Sequence, residues 1–289
     1  MKSYLSLIKF SHTVFALPFA IIGALLGYKD GYPLTLVLLL KIILCMVLAR
    51  AAAMAFNRWA DERYDRINPR TAAREIPAGI IAKRNALWFV ILCSILFVLT
   101  TYFINPVCFY LSPVALITIL GYSLTKRWTA LCHLILGAGL SLAPIGSYLA
   151  VTGRFSLLPL LFSGLVFYWV SGFDIIYALQ DEDFDKSNKL HSIPAWLGRA
   201  NALKVSRILH VICALILLFT SWILVHQYDL RFKFLVWSAA GFFITMLVLQ
   251  QRLVRPNDLS KINLAFFTSN GLASVTYGVI LSIALMLVR

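Results

Sequence analysis

The sequence predicts an all-α integral membrane protein, and its composition and apolar runs indicate this class. Of the 289 residues, 61% are hydrophobic and only 13% are charged. The mean hydropathy of +0.84 lies outside the range of soluble globular domains. Several apolar runs reach about 20 residues, enough to cross a bilayer core as helices. They lack the two-residue alternation of a β-barrel, so helices are the structure that satisfies the backbone in lipid. We therefore expect residues 1–289 to form a single polytopic domain.

The apolar runs predict nine membrane-spanning helices. We place them at residues 12–28, 34–60, 86–105, 108–125, 130–151, 157–180, 203–226, 232–251 and 263–287. No small-residue cleavage site follows the first run, and we interpret it as a retained span. The five cysteines stand singly within apolar segments, so we expect packing residues and neither a disulfide framework nor a zinc site.

The basic residues predict the orientation of the chain. A net charge of +14 is compatible with nucleic-acid binding, but the distribution of Lys and Arg has another explanation. With a cytoplasmic N-terminus, 19 of these cations lie on the cytoplasmic side and five on the opposite side. This asymmetry follows the positive-inside rule. We expect the lipid bilayer, and no nucleic acid, as the macromolecular environment of the protein.

Acidic residues are scarce and clustered. Nine of the twelve Asp and Glu residues lie within 61–75 and 174–185. In the first cluster Asn57, Asp61 and Asp65 follow one another at intervals of four residues, which places three oxygen ligands along one face of a helix. Oxygen ligands suit Mg²⁺, which takes one or two carboxylates and completes its shell with phosphate oxygens and water.

The two acidic clusters share a spacing of seven and then four residues, with an offset of 124. The matching sets are Arg50, Asn57 and Asp61 in the first half and Asp174, Asp181 and Asp185 in the second. The offset is four helices long, so we expect spans 1–4 and 5–8 to be structural repeats with the ninth helix appended. Two half-sites would then face each other across a central cavity. Chance spacing among helical residues is the alternative.

Each cluster is followed by a long polar segment, at residues 61–85 and 181–201, that contains a proline and then a glycine. These segments are interpreted as caps over the cavity, with solvated connectors as the alternative. Lys126 and Arg127 end the fourth span on the same side. Paired cations suit a phosphate group, although positive-inside anchoring also explains them.

Charge of both signs at one membrane face points to a diphosphate, and the location in lipid points to an apolar tail. An allylic prenyl diphosphate has both properties. Aromatic faces attract the carbocation that forms when its C–O bond breaks, by ~0.5–2 kcal/mol each. Aromatic residues near the two motifs are Phe56, Tyr168, Trp169, Phe173 and Tyr177, each of which is individually more typical of packing.

Three separated motifs resemble those of the UbiA superfamily of intramembrane aromatic prenyltransferases. The first reads Asn57–x₃–Asp61–x₃–Asp65, followed by Asn68–Pro69–Arg70–Thr71 and Arg74–x₂–Pro77–x–Gly79. The second reads Asp174–Ile–Ile–Tyr177–Ala–Leu–Gln–Asp181–Glu–Asp–Phe–Asp185. Between them lies Tyr122–x₃–Lys126–Arg127–Trp128–Thr129. The motifs agree in order and spacing over essentially the whole chain.

The resemblance implies a function. This is Mg²⁺-dependent transfer of a polyprenyl chain from polyprenyl diphosphate to an aromatic carboxylic acid, 4-hydroxybenzoate or a related aryl acid, in ubiquinone or menaquinone biosynthesis. It also implies nine helices around a central cavity, in the bacterial cytoplasmic (inner) membrane, with the active site toward the cytoplasm. Residues 55–58 and 185–194 resemble a bacterial 4-hydroxybenzoate polyprenyltransferase-like subgroup, part of which is associated with the futalosine route to menaquinone. Segment 188–191 departs from the Lys-rich, Gly-containing run of ubiquinone-pathway members, so the acceptor stays open.

The resemblance further implies roles for individual residues. The catalytic residues are Asn57, Asp61, Asp181 and Asp185. One Mg²⁺–diphosphate is held by Asn57, Asp61 and Asp65, and the other by Asp181 and Asp185. The resemblance also implies that Lys126 and Arg127 bind the phosphate oxygens. From their positions in and around the motifs we further expect these residues to bind substrate: Arg50, Arg70, Arg74, Asp174, Tyr177 and His191.

Arg50 lies about two turns inside the second span, where an unpaired charge costs ~2.5–3.5 kcal/mol and a functional role is the default interpretation. We expect its guanidinium to bind the acidic group of the acceptor or a diphosphate oxygen. Asp174, at the equivalent position of the second repeat, is expected to balance its charge. His133, His210 and His226 have no partner in the sequence, and no role is assigned to them.

Two other classes of membrane protein also place charged residues within or beside the bilayer. A transporter or channel for a cation or a phosphorylated lipid would need polar residues along the full depth of several helices. Here the polar residues gather at one membrane face. A CDP-alcohol phosphotransferase-like enzyme would carry glycines between its carboxylates, and that pattern is absent from the sequence.

Overall fold

The computed structural model describes residues 2–7, 15–228 and 233–287, and these segments form a helical bundle without a β-strand. The twelve α-helices within them are α1 (Lys2–Leu7), α2 (Leu17–Lys29), α3 (Leu36–Ala60), α4 (Glu62–Ile67), α5 (Lys83–Tyr102), α6 (Pro106–Thr125), α7 (Cys132–Thr152), α8 (Leu157–Ala178), α9 (Glu182–Ser187), α10 (Ile193–Gln227), α11 (Lys233–Leu253) and α12 (Ser269–Met286). The predicted all-α membrane fold is confirmed.

Within the described residues, eight helical segments are long and apolar enough to cross a membrane. These are α3, α5, α6, α7, α8 with its continuation into α9, α10, α11, and α12 with the π-helical turn that precedes it. The predicted first span, 12–28, begins outside the described residues, and its described part is the 13-residue helix α2. The count of nine spans therefore stays a prediction.

The order of elements is the same in the two halves of the chain. A helix (α2 or α7) precedes a long helix (α3 or α8), which ends in a short helix (α4 or α9) and is followed by two further long helices. The last helix, α12, stands outside this pattern. Asp61 lies between α3 and α4, and Asp181 lies between α8 and α9, so each acidic motif occupies the same junction of its half.

The helix that corresponds to the predicted seventh span, 203–226, begins ten residues earlier, at Ile193. Helix α10 starts at Ile193 because the Ser192 hydroxyl accepts a hydrogen bond from the Ala195 N–H at 3.3 Å and Pro194 stands in the first turn. The helix then kinks at Gly198, whose φ of 74° is readily available only to glycine. The five residues of α10 before the kink are apolar but too few to form a membrane-spanning run, so hydropathy could not place them.

The largest hydrophobic cluster packs α2 and α8 against α10, α11 and α12. Its centre consists of the fully buried aromatic residues Phe19, Phe162, Trp169, Phe243 and Tyr277. The Trp169 indole N–H donates to the side-chain oxygen of Asn270 at 3.0 Å, which satisfies its polar atom inside the core. All five cysteines are free; Cys93 and Cys213 are buried and the other three are partly buried.

Candidate active site

A cavity of about 630 Å³ lies between α3, α5, α6, α7 and α8, and Phe173 in its wall also belongs to the hydrophobic cluster around Trp169. One end is lined by polar residues from both halves: Arg50, Asn57, Asp61, Asp65, Arg70, Arg74, Lys126, Asp174, Tyr177, Asp181 and Asp185. The other end is apolar and includes Ile42, Phe97, Ile104, Leu149 and Phe155. The structure thus brings the two acidic motifs to one end of a single cavity.

Asp61 stands at the C-terminus of α3, where the helix ends, and its side chain is only 4% exposed. Lys126 Nζ lies 3.2 Å from Asp61 Oδ2, and the Asn57 amide donates to the same oxygen at 3.3 Å. Asp61 Oδ1 has no hydrogen-bond partner among the described residues and is 3.9 Å from the Arg127 guanidinium. Burial raises the pKa of Asp61, against the opposing effect of Lys126.

Asp65 lies one turn further on, in α4, and is also buried. Its Oδ1 accepts a hydrogen bond from Arg74 at 2.6 Å, and the Thr71 hydroxyl donates to its backbone carbonyl at 3.2 Å. Asp65 Oδ2 is buried without a hydrogen-bond partner among the described residues. The segment after α4 therefore folds back over the first motif through Arg74 and Thr71.

Asp181 in the second motif binds the segment that follows the first. Arg70 holds it with two hydrogen bonds, from Nε to Oδ1 at 3.0 Å and from Nη2 to Oδ2. Asn68 donates to Oδ1 at 3.3 Å, and Arg70 Nη1 donates to the Tyr177 hydroxyl at 3.1 Å. The bidentate pair joins the two halves of the chain directly above the cavity.

Asp185, the last acid of the second motif, is buried and accepts a hydrogen bond from the Ser192 hydroxyl at 2.8 Å. Ser192 is also the N-cap of α10, so one side chain fixes both the start of that helix and the orientation of the carboxylate. Apart from its position two residues before Pro194, no feature of the sequence indicates this role of Ser192.

The predicted pairing of Arg50 with Asp174 is wrong. Asp174 Oδ2 lies 2.7 Å from Nδ1 of His133, a residue to which the sequence assigned no role. Among the described residues no carboxylate forms an ion pair with Arg50, and its buried Nε has no hydrogen-bond partner. The polar end of the cavity therefore contains a buried cation that no carboxylate of the described residues neutralises.

His191 and Arg127 are the two predicted site residues that do not line the cavity. The side chain of His191 is exposed in a separate surface depression beside Trp128 and Trp196, and only its backbone N–H reaches the site, donating to the Lys126 carbonyl at 2.6 Å. Arg127 donates to the carbonyl of Ala60 at 2.6 Å and so holds the end of α3. Both residues support the site from outside it.

The aromatic lining of the cavity differs from the predicted set. Phe173 and Tyr177 line it, whereas Trp169 belongs to the core and Phe56 stacks on Trp59. The sequence missed Phe266, whose ring centroid lies 4.1 Å from that of Tyr177. Phe266 is placed by the π-helical turn Leu264–Thr268, a feature found frequently at functional sites and without a sequence signal of its own.

The residues present fit a magnesium ion that is completed by substrate. Among the described residues no group of three or more His, Cys, Asp or Glu side chains converges as a metal site. Asp61 Oδ1 and Asp65 Oδ2 are instead buried carboxylate oxygens without hydrogen-bond partners. Mg²⁺ is commonly bound through one or two carboxylates together with substrate phosphates, and these two oxygens are the donors it prefers.

The fold and the site define a polytopic membrane protein with a cavity that is polar and charged at one end and apolar at the other. The chain belongs to the UbiA prenyltransferase family, whose profile matches residues 16–271. The predicted prenyltransferase class is confirmed by this match.

Two relatives have the name 4-hydroxybenzoate octaprenyltransferase. That of Photobacterium profundum is 29% identical over 252 residues, covering 86% of this chain and 83% of the relative. That of Tolumonas auensis is 31% identical over 222 residues, covering 76% and 75%.

Solved structures show the same fold. The apo structure of a UbiA homolog from Aeropyrum pernix K1 matches with a TM-score of 0.83 and 32% identity, covering 94% of this chain and 97% of that one. A UbiA homolog from Archaeoglobus fulgidus, bound to DMAPP and Mg²⁺, matches with a TM-score of 0.76 and covers 99% of both chains. At 19% identity the second likeness concerns the fold alone.

Proposed function

We propose that this protein transfers a polyprenyl chain from a polyprenyl diphosphate to an aromatic carboxylic acid of the 4-hydroxybenzoate type, with Mg²⁺, in the biosynthesis of a quinone. The proposal depends on one observation: the cavity has two acidic motifs and five cations at one end, and an apolar lining at the other. The names of the relatives from Photobacterium profundum and Tolumonas auensis support the acceptor class.

The polar end is suited to a diphosphate because its charges are already paired. Without substrate, Arg70 neutralises Asp181 and Arg74 neutralises Asp65. An incoming diphosphate exchanges these partners, so that the arginines and Lys126 donate to phosphate oxygens while the carboxylates become available to metal. Mg²⁺ bound there supplies charge neutralisation at the leaving diphosphate.

The apolar end is suited to the prenyl tail. Its lining comes from α3, α5, α6 and α7, with Ile42, Phe97, Ile104 and Leu149 at the end of the cavity away from the acidic motifs. A tail that enters this space lies in surroundings as apolar as lipid, with its diphosphate held at the polar end. The cavity therefore aligns the reactive C1 carbon of the donor near Phe173, Tyr177 and Phe266.

The reaction balances without a further reactant. The C–O bond of the allylic diphosphate breaks and its electron pair leaves with diphosphate. A ring carbon of the acceptor supplies the electron pair for the new C–C bond, and that carbon then loses its proton. The rings of Phe173, Tyr177 and Phe266 present faces to the allylic cation and exclude water that would otherwise capture it.

Arg50 and Asp174 are the residues that we propose bind the aromatic acceptor. The guanidinium of Arg50, without a carboxylate partner among the described residues, matches the carboxylate of an aryl acid. Asp174 uses Oδ2 to accept from His133, and its Oδ1 makes no hydrogen bond within the described residues, so it can accept from an acceptor hydroxyl. A hydroxybenzoate has both complementary groups at opposite ends of one ring.

A panel of acceptors tests this function. Purified protein in lipid is incubated with a labelled polyprenyl diphosphate and with 4-hydroxybenzoate, benzoate, phenol or a naphthoic acid, and products are identified by mass spectrometry. We expect C-prenylated product with a hydroxylated aryl acid, and little with benzoate or phenol, which each lack one of the two groups. Absence of prenylated product with every aromatic acid would overturn the proposal.

A further inference from the structure

His133 is buried at the polar end of the cavity, with a side chain only 4% exposed, and it contacts two other elements. From the first turn of α7, its Nδ1 reaches Asp174 Oδ2 on α8 at 2.7 Å. Its Nε2 accepts a hydrogen bond from the backbone N–H of Ile193 at the start of α10, at 3.3 Å. One imidazole ring thus connects three helices around the cavity.

The two contacts determine the tautomer of the ring. Because the Ile193 N–H can only donate, Nε2 must be the acceptor, and the proton of the neutral imidazole resides on Nδ1. Nδ1–H then donates to the carboxylate of Asp174. A ring held at both nitrogens cannot rotate, so it fixes the Asp174 carboxylate in one orientation, as a second partner does for many functional histidines.

The segment 190–193 ties this histidine to the rest of the site. Each of its four residues donates a hydrogen bond to a site element: Leu190 N–H to the Asp185 carbonyl (2.9 Å), His191 N–H to the Lys126 carbonyl (2.6 Å), Ser192 Oγ to Asp185 Oδ2 (2.8 Å) and Ile193 N–H to His133 Nε2 (3.3 Å). The second acidic motif, the cationic end of α6 and the His133–Asp174 pair are therefore held by one short stretch of backbone.

We infer that His133 is a positioning residue that orients Asp174 toward the aromatic acceptor, an inference that rests on the proposed function. Both residues line the cavity, but the Asp174 side chain is 22% exposed, whereas the His133 side chain is only 4% exposed and both of its ring nitrogens are engaged by protein groups. His133 therefore acts through Asp174 and does not touch the donor diphosphate. The acceptor it helps to select is an aryl acid with a hydroxyl that donates to a fixed carboxylate oxygen.

Two conservative variants of His133 each remove one of its two hydrogen bonds, that to Asp174 or that to Ile193. The amide nitrogen of Asn reaches the position of imidazole Nδ1, so His133→Asn keeps the donor to Asp174 and loses the acceptor for Ile193. The amide of Gln reaches the position of Nε2, so His133→Gln keeps the contact with Ile193 and loses the donor to Asp174. KM for acceptor and for prenyl diphosphate, kcat and thermal unfolding are measured for both variants.

The two variants are expected to differ in their KM for the acceptor. His133→Gln should raise the acceptor KM about tenfold, the loss typical of one hydrogen bond to a charged group, and leave the KM of the prenyl diphosphate within about twofold. His133→Asn should retain an acceptor KM close to that of the wild type. Equal effects of both variants on the acceptor KM, or changes in stability alone, would overturn the inference.

His210 provides the matched control. It is also a buried histidine held at both ring nitrogens, by the Trp169 carbonyl at 3.3 Å and by Gln251 at 2.9 Å, but it does not line the cavity. His210→Gln should lower thermal stability without changing either KM. If the wild-type protein prenylates no acceptor, both the proposed function and this inference are overturned. If the wild type turns over but His133→Gln leaves the acceptor KM unchanged, the inference alone is overturned.

Discussion

At the scale of residues, the site is a set of opposite charges that neutralise each other until substrate arrives. A buried charge is tolerated when it is paired and hydrogen-bonded, and removal of one partner leaves the other uncompensated. Lys126 with Asp61 and Arg70 with Asp181 are such pairs, one in each acidic motif. Each carboxylate is therefore expected to bind metal when substrate arrives. Its paired Lys or Arg side chain then becomes available to bind the diphosphate.

The first prediction concerns these two acids. Asp61→Asn and Asp181→Asn should each lower kcat/KM by about two orders of magnitude or more, because each removes a carboxylate from the site of developing diphosphate charge. Each variant also leaves a cation without its carboxylate, so thermal unfolding is measured in parallel and a lower unfolding temperature is expected, most of all for the buried Asp61. Asp258→Asn, which changes an exposed acid outside the cavity, is the control and should leave turnover unchanged. More than a tenth of wild-type activity in either site variant contradicts a two-metal site.

A second prediction separates the possible ligands of Arg50. Lys keeps the charge but lacks the planar fork of donors that binds a carboxylate through two hydrogen bonds. Arg50→Lys should therefore raise the acceptor KM and leave that of the prenyl diphosphate nearly unchanged. The reverse pattern would assign Arg50 to the diphosphate, and wild-type values for both constants and for kcat would make it a structural residue.

The sequence predicted the residues of the two motifs better than the contacts between them. Intervals of four residues along a helix place Asn57, Asp61 and Asp65 on one face without further information. The pairing of Asp174 depends on how α7 packs against α8, across 41 residues of sequence, and so the sequence pointed to Arg50 where the structure has His133. An ionisable residue at the end of a span was the available signal for His133.

At the scale of helices, close packing between α2 and α7 requires a glycine. A Cβ atom at Gly23 would lie 2.1 Å from the backbone oxygen of Pro144, which cannot move without displacing its helix. Small residues at such crossings allow helix backbones to approach closely within a membrane. This contact positions α7, which bears His133 and lines the cavity.

Gly23→Ala is therefore predicted to destabilise the protein by ~1–3 kcal/mol, the usual effect of overpacking. Thermal unfolding in detergent measures it. Gly241→Ala, in α11, is the matched control, because its added methyl group meets no atom within 4 Å and alanine favours a helix. Equal unfolding temperatures for the two variants would show that α2 does not pack against α7 as described.

Helix boundaries in the polar segments were the least predictable part of the fold. Spans such as α3 and α6 follow from apolar length alone, and their observed ends lie within two residues of the prediction. Helices α4 and α9 have only six residues each and contain no apolar run. They form because the acidic motifs are anchored by Arg70, Arg74 and Ser192, and such long-range contacts are invisible to hydropathy.

At the scale of the molecule, the polar ends of both halves lie together, since Arg70 from one half binds Asp181 from the other. Because the excess of Lys and Arg is on this side, we propose that the site faces the cytoplasm. Single cysteines at the exposed positions Lys83 and Ser187 should be labelled from the cytoplasmic side, and one at Arg154 from the opposite side. Labelling of Lys83 and Ser187 from outside the cell would reverse the orientation.

The central claim is that the acidic motifs serve a metal-dependent prenyl transfer. The most direct test measures product formation from labelled polyprenyl diphosphate and 4-hydroxybenzoate in proteoliposomes that contain only this protein, with Mg²⁺, with EDTA, and with Mg²⁺ restored in excess. Our account predicts prenylated acid with Mg²⁺, none with EDTA, and full recovery when Mg²⁺ is returned. Transfer that continues at an undiminished rate in EDTA would contradict it.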